Sequence, residues 1–198
     1  MTTEERKERE KEQRRQEILQ AAEAVFFEKG YAAAIMDEIA ERAEVSKGTL
    51  YLYFSDKEDL YYAICYNAHL LLREYFQEAV EQGSDGKEKS MKIGKAYFKF
   101  AKDHPRRFTN MVVGLTMVEH HNETIEGYSK KCHDEGKSII QLVADTIDEG
   151  KQDGSINTDI DSMELAIILW GETTGLIQIL QQSNKHIEDE FNVSPDRI

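Results

Sequence analysis

Proline occupies only two of the 198 positions, 105 and 195, and glycine only twelve. An all-β chain of this length needs far more turn residues, because each hairpin demands backbone conformations that glycine, proline, asparagine or aspartate supply. Helix formers (Ala, Glu, Leu, Ile, Lys, Gln) are frequent instead, and nothing alternates with period two over a useful length. The chain is therefore expected to be all-α. With 40% apolar and 32% charged residues it reads as a soluble globular protein, with room for one substantial core or for a small module joined to a larger one.

Hydrophobic spacing divides the chain into eight expected helices. The first covers 4–29, where Ile18, Leu19, Ala22, Val25 and Phe26 form one apolar stripe, and Gly30 stands where a helix commonly ends left-handed. A short helix fits 36–43, with Ile39 and Ala40 inward. After a turn at Glu44-Val45-Ser46, Ser46 is a good N-cap for a third helix over 47–53. Asp56 then caps a long helix over 57–82, which stops at the Gly83-Ser84-Asp85-Gly86 breaker cluster. Helix five spans 87–103 and ends at His104-Pro105, since the residue before proline avoids the α region. The rest reads as helices over 106–119, 123–152 and 161–183, and Ser194-Pro195-Asp196 looks like the start of one more that the sequence does not complete.

Other classes find little support. The charged N-terminus lacks an apolar signal region, and the apolar runs read as far short of the ~20 residues that cross a bilayer. Cys65 and Cys132 stand apart without metal-type spacing, so a reduced, cytoplasmic setting is expected and the sequons at Asn122 and Asn192 are chance matches. His69, His104, His120, His121, His133 and His186 form no metal motif, and no catalytic constellation occurs, so neither metal, cofactor nor enzyme activity is expected. Asp153, Ser155, Asn157, Asp159, Asp161 and Glu164 fall on a calcium-loop pattern, but the glycine it needs is Thr158. A plain interhelical loop with Asp161 as N-cap explains the same residues.

Charge argues at first against nucleic acid. The net charge is −13, and residues 1–60 alone carry ten Lys and Arg against fifteen Asp and Glu. Basic charge is concentrated locally instead: Arg6, Lys7, Arg9, Lys11, Arg14 and Arg15 meet only Glu8, Glu10 and Glu12 in their stretch. A few well-placed cations suffice for phosphate contact, with weak and salt-sensitive non-specific affinity.

Two short helices joined by three residues, the second N-capped, have the form of a helix-turn-helix at about 35–54. Ala40 is small where the helices cross, and Ile39 and Leu50 plug the pair together. The second helix would present Ser46, Lys47, Gly48 and Thr49 at an N-terminus that favours negative charge. Tyr51 and Tyr53 would donate to phosphates, and Lys57 would open the next helix beside the DNA backbone.

These residues carry a resemblance. Ile18-Leu19-Gln20-Ala21-Ala22 through Phe26 to Gly30-Tyr31, then Ile39-Ala40, then Val45 to Phe54, then Lys57-Glu58-Asp59-Leu60 closely resemble the TetR family of regulators, with spacing intact over roughly 14–62. Farther on, His104-Pro105 and the stretch from Leu169-Trp170-Gly171 to Gly175-Leu176 are similar to the family in architecture only. The resemblance implies an N-terminal three-helix DNA-binding domain (1–56) followed by a larger helical ligand-binding and dimerisation domain (57–198). It further implies a homodimeric repressor on a palindromic double-stranded operator, released by a small molecule. Three positions depart from the pattern: Ala34 and Ile35 replace hydroxyl residues that cap and touch phosphate, and Glu44 replaces the usual turn glycine.

In the larger domain, Tyr62, Tyr66, Tyr97, Phe108, Met111, Leu115 and Trp170 are either core or the lining of a pocket for a lipophilic inducer. Gly171, Gly175, Gln178 and Ile179 share or border one face of the last helix, which makes that face a dimer seam or an intramolecular contact. Glu172 would pair across such a seam or meet a cationic ligand. Two other functions stay open: a helical small-molecule-binding protein with weak or lost DNA binding, and an all-α enzyme.

Overall fold

The computed structural model describes residues 2–117 and 126–191, and among them it holds eight helices and no strand. They are α1 (Thr3–Ala33), α2 (Met36–Arg42), α3 (Lys47–Tyr53), α4 (Lys57–Glu81), α5 (Gly86–Asp103), α6 (Pro105–Met117), α7 (Gly127–Asp153) and α8 (Ser162–Phe191). Helix α8 continues about two turns beyond the expected end near 183. The Ser194-Pro195-Asp196 helix start, both sequons, His120 and His121 lie outside the described residues.

The helices form two compact units, one built from Met1–Leu71 with His104–Gly136, the other from Leu72–Asp103 with Lys137–Ile198. Packing thus groups residues differently from the functional boundary expected at 56, because the starts of α4 and α7 and all of α6 share a core with the first three helices. In this first unit Ile18, Val25, Ile39, Leu50, Phe54, Leu60 and Phe108 are fully enclosed. Each such side chain contributes about 1.5–3 kcal/mol through burial.

Local signals shape the helix-turn-helix. Gly30 adopts φ 75° and breaks α1, leaving Tyr31–Ala33 as a separate last turn. Helix α2 begins at Ile35 without any side-chain cap, the gap that its apolar residue predicts. It ends in a Schellman arrangement: the Val45 N–H donates to the Ala40 carbonyl at 2.9 Å and the Glu44 N–H to the Glu41 carbonyl at 3.0 Å. Glu44 takes the left-handed position at φ 54°, where glycine is favoured. Ser46 caps α3 by accepting from the Thr49 N–H at 3.0 Å, while its hydroxyl pairs with that of Thr49 at 2.8 Å.

In the second unit α5 and α7 touch backbone to backbone. A Cβ added at Gly86 would lie 2.1 Å from the Gly150 nitrogen, so glycine is obligatory there. The supposed calcium loop serves this junction. Asp153 accepts from the Gly86 N–H at 2.9 Å, Ser155 accepts from the Lys87 N–H at 3.0 Å, and Asp161 caps α8 by accepting from the Met163 N–H at 2.9 Å. No metal-binding cluster occurs among the described residues.

One expectation needs correction. Residues Ser162–Gln182 of α8, with mean hydropathy 1.3, are long and apolar enough by composition to cross a membrane. The sequence reading missed this because Glu172 interrupts the run. Only 17% of that window is buried within the chain. Ile167, Ile168 and Ile179 are about half exposed, and a Cβ at Gly171 or Gly175 would meet nothing.

Candidate nucleic-acid interface

Helix α3 is anchored from below and open above. Leu50 is wholly buried, while Lys47, Gly48, Tyr51 and Leu52 face solvent. Gly48 is not demanded by packing, since an added Cβ would meet only the Ser46 hydroxyl at 3.8 Å. The space above it belongs to no part of this chain. Tyr53 is half-buried against the core and Thr49 is partly covered by its bond to Ser46. Leu52 is 85% exposed, more than any other large apolar side chain among the described residues. It shares a face with Gly48 by i, i+4 spacing, a signal the sequence offered but a search for polar contacts passed over.

The local cations explain how so acidic a surface is managed. Lys47 pairs with Asp37 at 2.6 Å, which raises its pKa, and both side chains are about 60% exposed. Such an exposed pair is weakly held, because water screens it. Lys29 pairs with Glu38 at 2.7 Å. Arg42 grips both oxygens of Glu28 at 2.8 Å, and this hydrogen bonding holds the Glu28 carboxyl below its ordinary range.

Two expected phosphate contacts have other work. Lys57 turns inward, donating to the Tyr31 carbonyl at 2.9 Å and the Ala34 carbonyl at 3.1 Å, with its ammonium 4.4 Å over the Tyr31 ring. It thereby satisfies carbonyls at the C-terminal end of α1 that have no helical donor. Arg15 is 18% exposed, donates to the Tyr128 hydroxyl, and stacks over the rings of Tyr128 and Phe54 at 4.9 and 5.5 Å. Arg14 points outward, 46% exposed and 2.8 Å from Glu17.

The expected inducer-lining residues divide between the units. Tyr62, Tyr66, Phe108, Met111 and Leu115 fall in the first, Tyr97 and Trp170 in the second. Phe108 and Met111 are buried, and Tyr62 and Tyr66 half-buried against the first core; the Leu115 side chain lies outside the described ones. Beside them Tyr61 donates to the Asn110 carbonyl at 2.5 Å and is pushed far up in pKa by burial. Tyr97 is buried, with its hydroxyl 3.1 Å from that of Thr174, which fastens α5 to α8.

Fold and surface together define a helix-turn-helix transcriptional regulator. Residues 18–64 match the sequence model for bacterial regulatory proteins of the tetR family. Over this segment the chain is similar to that family. It is 39% identical over 90 residues to the HTH-type transcriptional activator FasR of Mycolicibacterium smegmatis, a match covering 46% of this chain and 41% of FasR. It is 29% identical over 146 residues to the fatty acid metabolism regulator protein of Bacillus subtilis, covering 73% and 72%. The fold also matches that of the transcriptional regulator FadR from Bacillus subtilis in complex with stearoyl-CoA, with a TM-score of 0.70 and 21% identity over 86% of this chain and 88% of that one.

Proposed function

We propose that this regulator is a cytoplasmic homodimeric repressor that binds a near-palindromic operator and is released by a long-chain fatty-acyl thioester. The observation that carries DNA binding is the open face of α3: an N-capped helix with exposed Lys47, Gly48, Tyr51 and Leu52, and empty space above Gly48. Ser46, Thr49 and the rim tyrosine Tyr53 complete this surface, with Arg14 reaching phosphate from α1. Leu52 supplies apolar contact of the kind that reads a thymine methyl in the major groove.

Dimerisation through Gly171, Gly175, Gln178 and Ile179 of α8 is supported by the exposure of Gly171 and Ile179 and by the open space beside Gly171 and Gly175; Gly175 and Gln178 are half-buried. Two recognition helices then enter successive major grooves about 34 Å apart. The effector class rests on the names of the two fatty-acid-related relatives and on the aromatic and methionine side chains of the first unit, Tyr62, Tyr66, Phe108 and Met111. A ligand that favours the released state by ~100-fold contributes about 2.7 kcal/mol, enough to empty a moderately occupied operator.

The test is fluorescence anisotropy of the gene's own upstream DNA at low salt, with stearoyl-CoA, stearate and coenzyme A added separately. Specific binding lost only with stearoyl-CoA supports the reading, and no specific binding overturns it. A second reading, a helical small-molecule-binding protein with weakened DNA binding, is favoured by the uncapped start of α2 and by the Glu44 carboxylate beside α3. It predicts stearoyl-CoA binding by calorimetry without any operator shift.

A further inference from the structure

Helix α1 runs well past the core that anchors it. Every residue from Thr2 to Arg14 is exposed, and the first fully enclosed side chain is Ile18. Residues 3–14 therefore make a helical arm of about 18 Å with no side chain in the core. The arm is nevertheless built to stay helical. Thr2 and Glu5 seal its outer end with a reciprocal capping box, at 2.7 and 3.2 Å. Arg6 with Glu10, Gln16 with Glu12 and Gln13 with Glu17 then staple successive turns at 2.7, 2.7 and 3.1 Å.

Charge on the arm is sorted by side. Lys7, Lys11 and Arg14, spaced i, i+4 and i+7, lie in one row that continues inward to the buried Ile18. Glu5, Glu8 and Glu12 occupy a second row, roughly 120° round the helix axis. Glu4 and Glu10 border the basic row, and Glu10 is held by Arg6. Arg14 is matched by Glu17, whereas among the described residues neither Lys7 nor Lys11 has an ion pair. The basic row looks toward α3. Arg14 shares a shallow groove with Ala43 and Glu44, just before α3, and Arg15 lies 5.5 Å over the ring of Phe54, just after it. Helix α3 thus passes on the side of α1 between these two arginines. Lys11 stands in that gap one turn farther out, and Lys7 one turn beyond it.

We propose that Lys7, Lys11 and Arg14 form a rail that grips the DNA backbone flanking the bases met by α3, which rests on the operator binding proposed above. Phosphates are the occupant that the charge selects, with three cations along about 10 Å of one row and the second, acidic row turned away. The rail continues the open face of α3 outward, and its helix is formed beforehand, so little ordering is needed when it meets DNA. One-sided charge also explains how a chain of net charge −13 engages a polyanion. Attraction is confined to one row, and repulsion of Glu5, Glu8 and Glu12 turns the arm so that this row meets the backbone. Such contacts lengthen the footprint and carry no base preference.

Hydroxyl-radical footprinting of the full chain on the gene's own upstream DNA tests the rail. The wild type should protect backbone positions on the outer flank of each half-site, beyond those facing α3, and the double variant Lys7→Ala with Lys11→Ala should lose these alone. The same variant should flatten the salt dependence of binding by about two phosphate contacts per subunit. Adding Glu8→Lys, which returns a cation to the wrong side, should not restore the slope. Alanine favours helix, so circular dichroism should report an unchanged arm. A wild-type footprint without outer protection, a double variant with the wild-type slope, or recovery through Glu8→Lys would each overturn the rail. Loss of the dimer in sedimentation of the DNA-free double variant would overturn it too, assigning the row to a second copy of the chain. Failure of the wild type to bind any specific site is a separate result, which removes the operator reading together with the rail.

Discussion

The guanidinium of Arg15 donates to the hydroxyl of Tyr128 and lies 4.9 Å over its ring, so the first turn of α7 is fastened to the middle of α1. An arginine of the basic N-terminal stretch is thus a packing residue. Arg15→Ala loses a charged hydrogen bond and two ring contacts, and should lower stability by about 2 kcal/mol in urea unfolding. Arg14→Ala should leave stability unchanged and instead flatten the salt dependence of operator binding by about one phosphate contact per subunit. Equal effects of the two substitutions on the salt slope would refute this division of labour.

In the proposed complex Asp37 would compete with DNA for Lys47, with which it pairs at 2.6 Å. Removing it should therefore tighten binding: Asp37→Asn is expected to raise operator affinity several-fold, and Lys47→Ala to lower it roughly tenfold or more. Both should unfold at much the same denaturant concentration as wild type, because the pair is exposed. Anisotropy titrations beside denaturant melts separate the two effects. Weaker binding by Asp37→Asn would show that the carboxylate positions the lysine for DNA.

How much of this could be read beforehand follows the range of each contact. Gly30, Ser46, Asp56 and Pro105 act on their own turn of chain, and their signals placed the helix ends within a few residues. Lys57 and Arg15 resisted reading, since their partners lie 26 and 113 positions away and only tertiary packing brings them together. Leu52 was legible through its spacing from Gly48, but an exposed leucine goes unnoticed when charge is taken as the mark of a DNA surface. The seven aromatic and apolar residues read as core or lining belong to two units, because helical spacing marks an apolar face without saying in which unit it packs.

Glu44 stands at φ 54° where a side chain is strained. Glu44→Gly should stabilise the chain by about 1 kcal/mol and, by removing a carboxylate beside α3, strengthen operator binding. A thermal melt and a binding titration check both. Unchanged stability would mean that contacts of the glutamate offset its backbone cost.

Gly175 offers a direct test of the α8 seam. Since an added Cβ there meets nothing within the chain, Gly175→Leu should keep the helical content while disrupting a close helix pairing. Sedimentation should report monomers, and operator affinity should fall steeply. A dimer with wild-type stability would move the seam to another face.

The start of α5 is the acid-sensitive point of the second unit. Glu88 accepts from the Ser84 hydroxyl at 2.5 Å and its N–H at 3.0 Å, with Lys92 nearby, and these interactions lower its pKa from 4.5 to about 2. A carboxylate whose pKa is depressed by folding adds stability that is present above the unfolded pKa and disappears as pH falls through the folded one. The contribution of Glu88 is therefore complete above about pH 4.5 and lost by about pH 2. Asp153, lowered by its bonds from Ser155 and Gly86, follows the same direction. Glu88→Gln should be less stable than wild type at pH 7, and the difference should narrow steadily between pH 4.5 and 2 in denaturant melts. A difference independent of pH over that interval would assign the loss to shape and hydrogen bonding, with no part for the charge.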